Sequence, residues 1–121
     1  MSTSCIFALY DADTRDIILL EKTHDGFKDV IEKHIAELER KDLWDIEDIA
    51  NYLVKNHDYD IAIYSHKYPY YAYVYVAKGG QEYKLLEVEI SSDIETLTDC
   101  LPDIQKVLGK DRVAMIGVLE E

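Results

Sequence analysis

Pairs of strand-like segments joined by short turns are the feature of this sequence that most constrains its fold. Six segments rich in β-branched, aliphatic and aromatic residues read as strands: residues 5–10, 17–20, 61–64, 70–77, 83–90 and 112–119. The first two are separated by a polar turn rich in aspartate, and the fourth and fifth by a loop containing Gly79 and Gly80. Hairpins of this kind predict a sheet in which antiparallel pairing dominates.

Three amphipathic stretches supply the helices, because their apolar residues recur every three or four positions. They cover residues 27–41, 43–54 and 94–108. Asp42 is placed to cap the second helix, and Ser92 with Glu95 fits a capping box before the third. Pro102 lies inside the third stripe, so a kink or two short helices meeting near Cys100 are expected.

The predicted fold class is α+β, with the element order β-β-α-α-β-β-β-α-β. Hairpins with helices packed on one face make a two-layer domain with a mostly antiparallel sheet. A chain of 121 residues is the length of one domain, and the sequence shows no repeat or low-complexity linker. We therefore expect a single domain over residues 1–121.

Charge is the strongest global signal. The chain carries 25 acidic and 13 basic residues, a formal net charge of −12, whereas small soluble domains typically carry a magnitude of about 2–8. Direct nucleic-acid binding needs clustered lysine and arginine and is disfavoured. A surface that docks on a basic protein or imitates nucleic acid is compatible with this charge. A purely solubilising surface is the simpler alternative.

The sequence contains no cofactor or metal motif. Cys5 and Cys100 are far apart in apolar surroundings, which predicts buried, reduced thiols. Asp11, Asp13 and Asp16 are spaced like part of a calcium loop, but that loop's required glycine and glutamate are missing. No apolar run approaches the ~20 residues of a membrane span. We expect a cytoplasmic protein without a cofactor, a bound metal or a membrane partner.

Tyrosines are the most distinctive local feature, because six of the ten lie between positions 64 and 75. Tyr71, Tyr73 and Tyr75 alternate along one strand and share a face. A three-residue loop at Gly79 and Gly80 would pair Leu86 with Ala72 and leave these tyrosines outside, whereas a two-residue loop would place them with the aliphatic residues. We expect the three-residue loop and an exposed tyrosine ladder suited to binding.

Two sets of candidate site residues follow. The interaction set combines the carboxylates around the second helix with the tyrosine ladder: Asp42, Asp45, Glu47, Asp48, Tyr71, Tyr73 and Tyr75. The alternative set is a pocket formed by two His-Asp groups, one before the first helix and one after the second: His24, Asp25, His57 and Asp60. A hydrolytic site requires these groups to converge in space. His34 lies on the apolar stripe of the first helix and is expected to be a half-buried residue with a satisfied ring.

Residues 1–38 resemble a group of small phage and prophage proteins. Those proteins begin with Met-Ser-Thr, form a hairpin, and carry a His-x-Asp-Gly-Tyr turn before a helix. The matching residues here are His24, Asp25, Gly26 and Phe27, with no residue between the His and the Asp and with Phe in place of Tyr. The group has no assigned activity, so the resemblance transfers no catalytic residue and points only to a mobile genetic element as the source.

The first functional hypothesis is a non-enzymatic acidic interaction module. It would block a basic, nucleic-acid-binding surface of a host protein, as an anti-CRISPR inhibitor does. The second is a structural module that forms a homodimer or larger oligomer by pairing strand edges. The third is a small ligand-binding protein or hydrolase that uses the alternative pocket.

Overall fold

A computed structural model of the chain describes residues 3–61, 69–78, 82–90 and 94–109, with the backbone of residues 117 and 118. Its elements are β1 (Cys5–Asp11), β2 (Asp16–Lys22), α1 (Lys28–Arg40), α2 (Ile46–Asn56), β3 (Tyr59–Asp60), β4 (Tyr71–Lys78), β5 (Glu82–Val88), α3 (Leu101–Leu108) and β6 (Gly117–Val118). The α+β class is confirmed, and the element order matches the prediction. The capping residue Ser92 and nearly all of the strand predicted at 61–64 lie outside the described residues.

One mixed sheet forms the centre of the molecule. Its strand order is β3-β2-β1-β4-β5, and β6 also pairs with β2. The two hairpins, β1–β2 and β4–β5, are antiparallel, and so is the short β2–β3 pair. β1 and β4 run parallel and join the two hairpins into one sheet.

Helices cover both faces of this sheet, which corrects the predicted two-layer arrangement with helices on one face. α1 and α2 pack on the face that contains Phe7 and Leu9. α3 packs on the opposite face, over Ile6 and Ala8. The physical reason is that β1 carries apolar side chains on both of its faces, so each face has to be shielded from water. The fold therefore has three layers.

The β4–β5 register decides where the tyrosines lie. Three residues separate the paired Lys78 and Glu82, and Leu86 pairs with Val74. Most aliphatic residues of β4 and β5 share the α3 face, as the three-residue loop predicts: Ala72, Val74, Val76, Leu86 and Val88. The predicted pairing of Leu86 with Ala72 is wrong by two residues, because Ala72 pairs with Val88. The predicted exposure of the ladder is nevertheless wrong for Tyr73 and Tyr75, which are 2% and 0% exposed beneath the α1–α2 layer. Of the three ladder tyrosines, Tyr71 is the one that is exposed.

The ends of the helices follow local chemistry. α2 begins after Asp45, whose carboxylate accepts a hydrogen bond from the Asp48 N–H. Asp42, predicted as the cap, instead adopts a left-handed backbone with φ 57°, a conformation that Asp tolerates better than most residues. Pro102 lies in the first turn of α3, directly after a 3₁₀ helix (Leu97–Cys100), so the predicted break near Cys100 is confirmed.

Gly26 lies tightly against the start of β1. Its N–H donates to the Thr3 carbonyl at 2.8 Å, and its carbonyl accepts a hydrogen bond from the Tyr73 hydroxyl at 3.1 Å. A Cβ atom on Gly26 would lie 2.7 Å from the Cys5 Cβ and 2.9 Å from the Ser4 carbonyl carbon. The close approach of two backbone segments explains why glycine occupies this position.

Candidate functional site

The segment that joins α1 to α2, together with the first turn of α2, carries a group of exposed carboxylates. We define the acidic connection as residues 42–48, which contain four acidic residues and no lysine or arginine. All four carboxylates are exposed: Asp42, Asp45, Glu47 and Asp48. The structure therefore places this half of the predicted interaction set together in one short segment.

Two hydrogen bonds fix the shape of the acidic connection. The indole Nε1 of Trp44 donates to Asp42 Oδ1 at 2.6 Å, and Asp45 caps α2 as described. Glu47 and Asp48 lie in the first turn of α2, where the positive end of the helix dipole stabilises negative charge. This arrangement presents fixed carboxylates beside a half-buried indole ring, and tryptophan is among the residues that most often dominate binding energy at protein interfaces.

The tyrosine ladder does not join the acidic connection. Tyr73 and Tyr75 are buried in the core, and the Tyr71 ring lies 6.1 Å from the ring of Phe27 at the other end of α1. Within the described residues, no hydrogen bond or ion pair links these tyrosines to the four carboxylates. Tyr71 with the exposed Phe27 forms a separate, smaller aromatic surface.

The alternative pocket residues are distributed over three elements. His24 and Asp25 are exposed in the turn between β2 and α1, and Asp60 is exposed on β3. His57 ends α2 and is half-buried. In the described part of the chain, no hydrogen bond or ion pair joins His57 to His24, Asp25 or Asp60. His57 instead contacts Glu37 of α1.

That contact belongs to a group of polar side chains which we call the histidine cluster: His34, Glu37, Tyr52, His57 and Tyr59. The imidazole rings of His34 and His57 stack with their centroids 4.0 Å apart and an interplanar angle of 25°. His34 Nδ1 lies 2.8 Å from the Tyr59 hydroxyl, and His57 Nε2 lies 3.0 Å from Glu37 Oε2. The Tyr52 hydroxyl donates to the same Glu37 oxygen.

The cluster depends on where each element places its side chains. His34 and Glu37 are three residues apart on α1 and so lie on the same side of the helix. His57 follows α2, and Tyr59 enters the sheet by pairing with Lys22 of β2. The cluster therefore ties α1, α2 and β3 to one another.

Burial and neighbouring charge favour the neutral form of His34. Its pKa is lowered from 6.5 to about 4, first by burial and then by His57 and Lys22. The buried Lys22 has its Nζ 5.5 Å from the centre of the Tyr59 ring and donates to the His24 carbonyl at 2.6 Å. Burial raises the pKa of the Tyr59 hydroxyl. Tyr59 is therefore a neutral hydroxyl that can donate to a neutral His34 ring.

Glu37 is the anionic member of the cluster. Hydrogen bonds from Tyr52 and His57 lower the pKa of its carboxyl, and the bond to Glu37 raises the pKa of the Tyr52 hydroxyl. Together the cluster offers one carboxylate to two imidazoles. Among the described residues, Glu37 is the carboxylate that contacts His57, and no carboxylate forms a hydrogen bond with His34.

Other reactive groups are inert in this fold. Cys5 and Cys100 are free and buried, as predicted, and lie on opposite faces of the sheet. Burial raises the pKa of each thiol to about 12, which keeps both protonated at neutral pH. Among the residues that the structure describes, no three His, Cys, Asp or Glu side chains converge in a way that could hold a metal ion.

Comparison with known proteins finds no family model, no curated protein and no solved structure that matches this chain. None of the helices in the described ranges is both long enough and apolar enough to cross a membrane.

Sequence reasoning identified the four carboxylates but missed two features of these sites. Trp44 was overlooked, although a single tryptophan between Asp42 and Asp45 was a visible signal. His34 was expected to be half-buried with a satisfied ring, and its bond to Tyr59 confirms this. Its stacking on His57 was not foreseen, because that contact depends on how α1 packs against α2.

Proposed function

We propose that this chain is a non-enzymatic interaction module whose acidic connection occupies a basic, nucleic-acid-binding surface of a partner protein. In the host of a phage or other mobile element, such a protein would act as an inhibitor of the anti-CRISPR kind. The observation that carries the proposal is that four carboxylates within seven residues are all exposed and have no basic residue among them.

Three physical arguments support this proposal. The net charge of −12 attracts a basic partner over several ångströms and accelerates encounter with it. The bonds at Asp42 and Asp45 restrain the acidic connection, which lowers the entropy lost on binding. Trp44 supplies a large ring beside the carboxylates, and an arginine side chain can pair with a carboxylate while stacking on such a ring.

The test is a pull-down from nuclease-treated host lysate with the wild-type chain and a neutralised variant, D42N/D45N/E47Q/D48N. Asn at position 45 retains the helix cap, so the variant loses charge without losing the start of α2. The matched control, D29N/E32Q/E39Q/E82Q, removes four exposed carboxylates from elsewhere on the chain. Retained proteins are identified by mass, at low and high salt and with added DNA or RNA.

The proposal predicts a protein that binds the wild type and the control at low salt. High salt and competing nucleic acid should each release this protein, and the neutralised variant should not retain it. Equal loss in both variants would show that total charge, and not the acidic connection, attracts the partner. Binding that is insensitive to salt would contradict the electrostatic mechanism.

A second candidate function, self-association, is favoured by the position of β5. This strand ends the sheet, and in the described part of the chain nothing pairs with its outer edge. A seven-residue edge can add the equivalent strand of a second copy. Sedimentation equilibrium at rising concentration tests this, and a monomer throughout the range would reject it.

A further inference from the structure

The histidine cluster links three elements through side chains that change charge. α1 contributes His34 and Glu37, α2 leads into His57, and β3 contributes Tyr59. β3 pairs with β2 through only two residues, Tyr59 and Asp60. The Tyr59 ring also packs in the core, 5.8 Å from the ring of Phe7. The contacts of His57 and of the Tyr59 hydroxyl with α1 add to this packing in holding the segment from 57 to 60 in place.

The stacked rings accept one proton more easily than two. A proton on His57 lies beside the Glu37 carboxylate, 3.0 Å away. A second proton on His34 would then place two positive rings 4.0 Å apart. It would also convert His34 Nδ1 from an acceptor into a donor, so that the Tyr59 hydroxyl would have to turn its hydrogen elsewhere.

We propose that the histidine cluster is a pH-sensitive latch that holds the segment from 57 to 60 against α1 while His34 is neutral and releases this segment when both rings are protonated. The inference is independent of the proposed function of the acidic connection. The two-state element is the segment, docked or released, and the proton on His34 biases it because burial and the stacked His57 ring make this proton bind the released state more tightly.

The charges around His34 favour release in acid. Lys22 reaches it from β2 and His57 from the end of α2, and both oppose a proton on His34. Glu37 of α1 and Asp58 favour a proton on His34, but their effects on its pKa are smaller than those of burial, His57 and Lys22. Tyr59 of β3 and Tyr52 of α2 are neutral hydroxyls. In the described ranges, the one carboxylate in contact with the stack is Glu37, which cannot compensate two imidazolium rings and the ammonium group of Lys22.

The experiment measures amide hydrogen exchange at pH 7 and pH 4.5, corrected for the intrinsic effect of pH on exchange. In the wild type, protection of residues 57–60 should fall by about tenfold or more relative to β1. H34Q replaces the imidazole at position 34 with an amide that cannot be protonated, so it should lack this local loss. H57Q removes the second ring, so two positive rings cannot form, and it should show a smaller loss than the wild type. H24Q is the matched control, because His24 is exposed and outside the cluster, and it should behave as the wild type.

Two results would overturn the latch. One is the same local loss of protection in H34Q and H57Q as in the wild type. The other is a loss of protection in β1 equal to that in residues 57–60, which would indicate global acid unfolding. Should a variant fail to fold, the ring resonances of wild-type His34 and His57 decide the question. Two separated titration steps support the latch, and a single step coincident with that of His24 rejects it.

Discussion

Replacing Gly26 with alanine should be one of the most damaging small changes in this chain. The new Cβ would meet the Cys5 Cβ at 2.7 Å, the Cys5 nitrogen at 2.8 Å and the Ser4 carbonyl carbon at 2.9 Å. None of these atoms is the end of a flexible side chain, so relief requires backbone movement. Hydrogen bonds to Thr3 and from Tyr73 hold Gly26 on both sides and oppose that movement.

Overpacking of a buried site costs about 1–3 kcal/mol, and the rigid contacts at Gly26 place G26A at the upper end, about 3 kcal/mol. That is a large part of the ~5–15 kcal/mol that stabilises a typical domain. Urea unfolding at pH 7 measures the loss, with an unchanged m-value. H24A, two residues away and exposed, is the control and should change stability by less than about 0.5 kcal/mol. A G26A variant as stable as H24A would refute the argument from close approach.

Three further predictions concern single side chains. The pKa of His34 in the folded protein is lowered from 6.5 to about 4. The contribution of the neutral ring to the free energy of unfolding is therefore fully present above pH 6.5 and is lost as the pH falls toward 4. Between pH 7 and pH 4, the free energy of unfolding of the wild type should therefore fall by about 2 kcal/mol more than that of H34Q. This is less than the ~3.4 kcal/mol that the full pKa shift implies, because water reaches part of the ring. Equal losses of unfolding free energy in urea titrations of the two proteins would contradict this. Y73F removes the hydroxyl that donates to Gly26 and should cost about 1 kcal/mol in the same assay, while no change would show that the bond contributes nothing. D45A should cost about 1 kcal/mol through loss of the α2 cap, and D45N should restore most of it; equal stability of the two variants would contradict the capping role.

Periodicity was sufficient to predict the hairpins and helices, because each is a local pattern. The sequence also held the signal for the three-layer packing, in residues 5–10 and 71–77, which are apolar on both alternating sides and so are typical of strands buried on both faces. The prediction that Tyr73 and Tyr75 are exposed was wrong because it treated the polar hydroxyl as decisive and underestimated the gain from burying the apolar ring. Tyr73 buries its ring and satisfies its hydroxyl on the Gly26 carbonyl.

Other features depend on tertiary geometry that no local pattern reports. The stacking of His34 on His57 requires a particular approach of α1 to α2. The parallel pairing of β1 with β4 requires the chain to return after both helices. The acidic connection was identifiable because it is a continuous run of sequence and needs no packing to bring its carboxylates together.

The central position of β1 has a consequence for how the chain folds during synthesis. One edge of β1 pairs with β2, which is synthesised immediately after it. The other edge pairs with β4, so Cys5 can pair with Tyr71 only after another 66 residues have been synthesised. At translation rates of about 5–20 residues per second, that interval is roughly 3–13 s. During it, β1 has an open edge, and its face with Ile6 and Ala8 is uncovered because α3 is made later still. The nascent chain is therefore most exposed to aggregation before β4 leaves the ribosome, and chaperones that bind extended apolar segments would act in that interval.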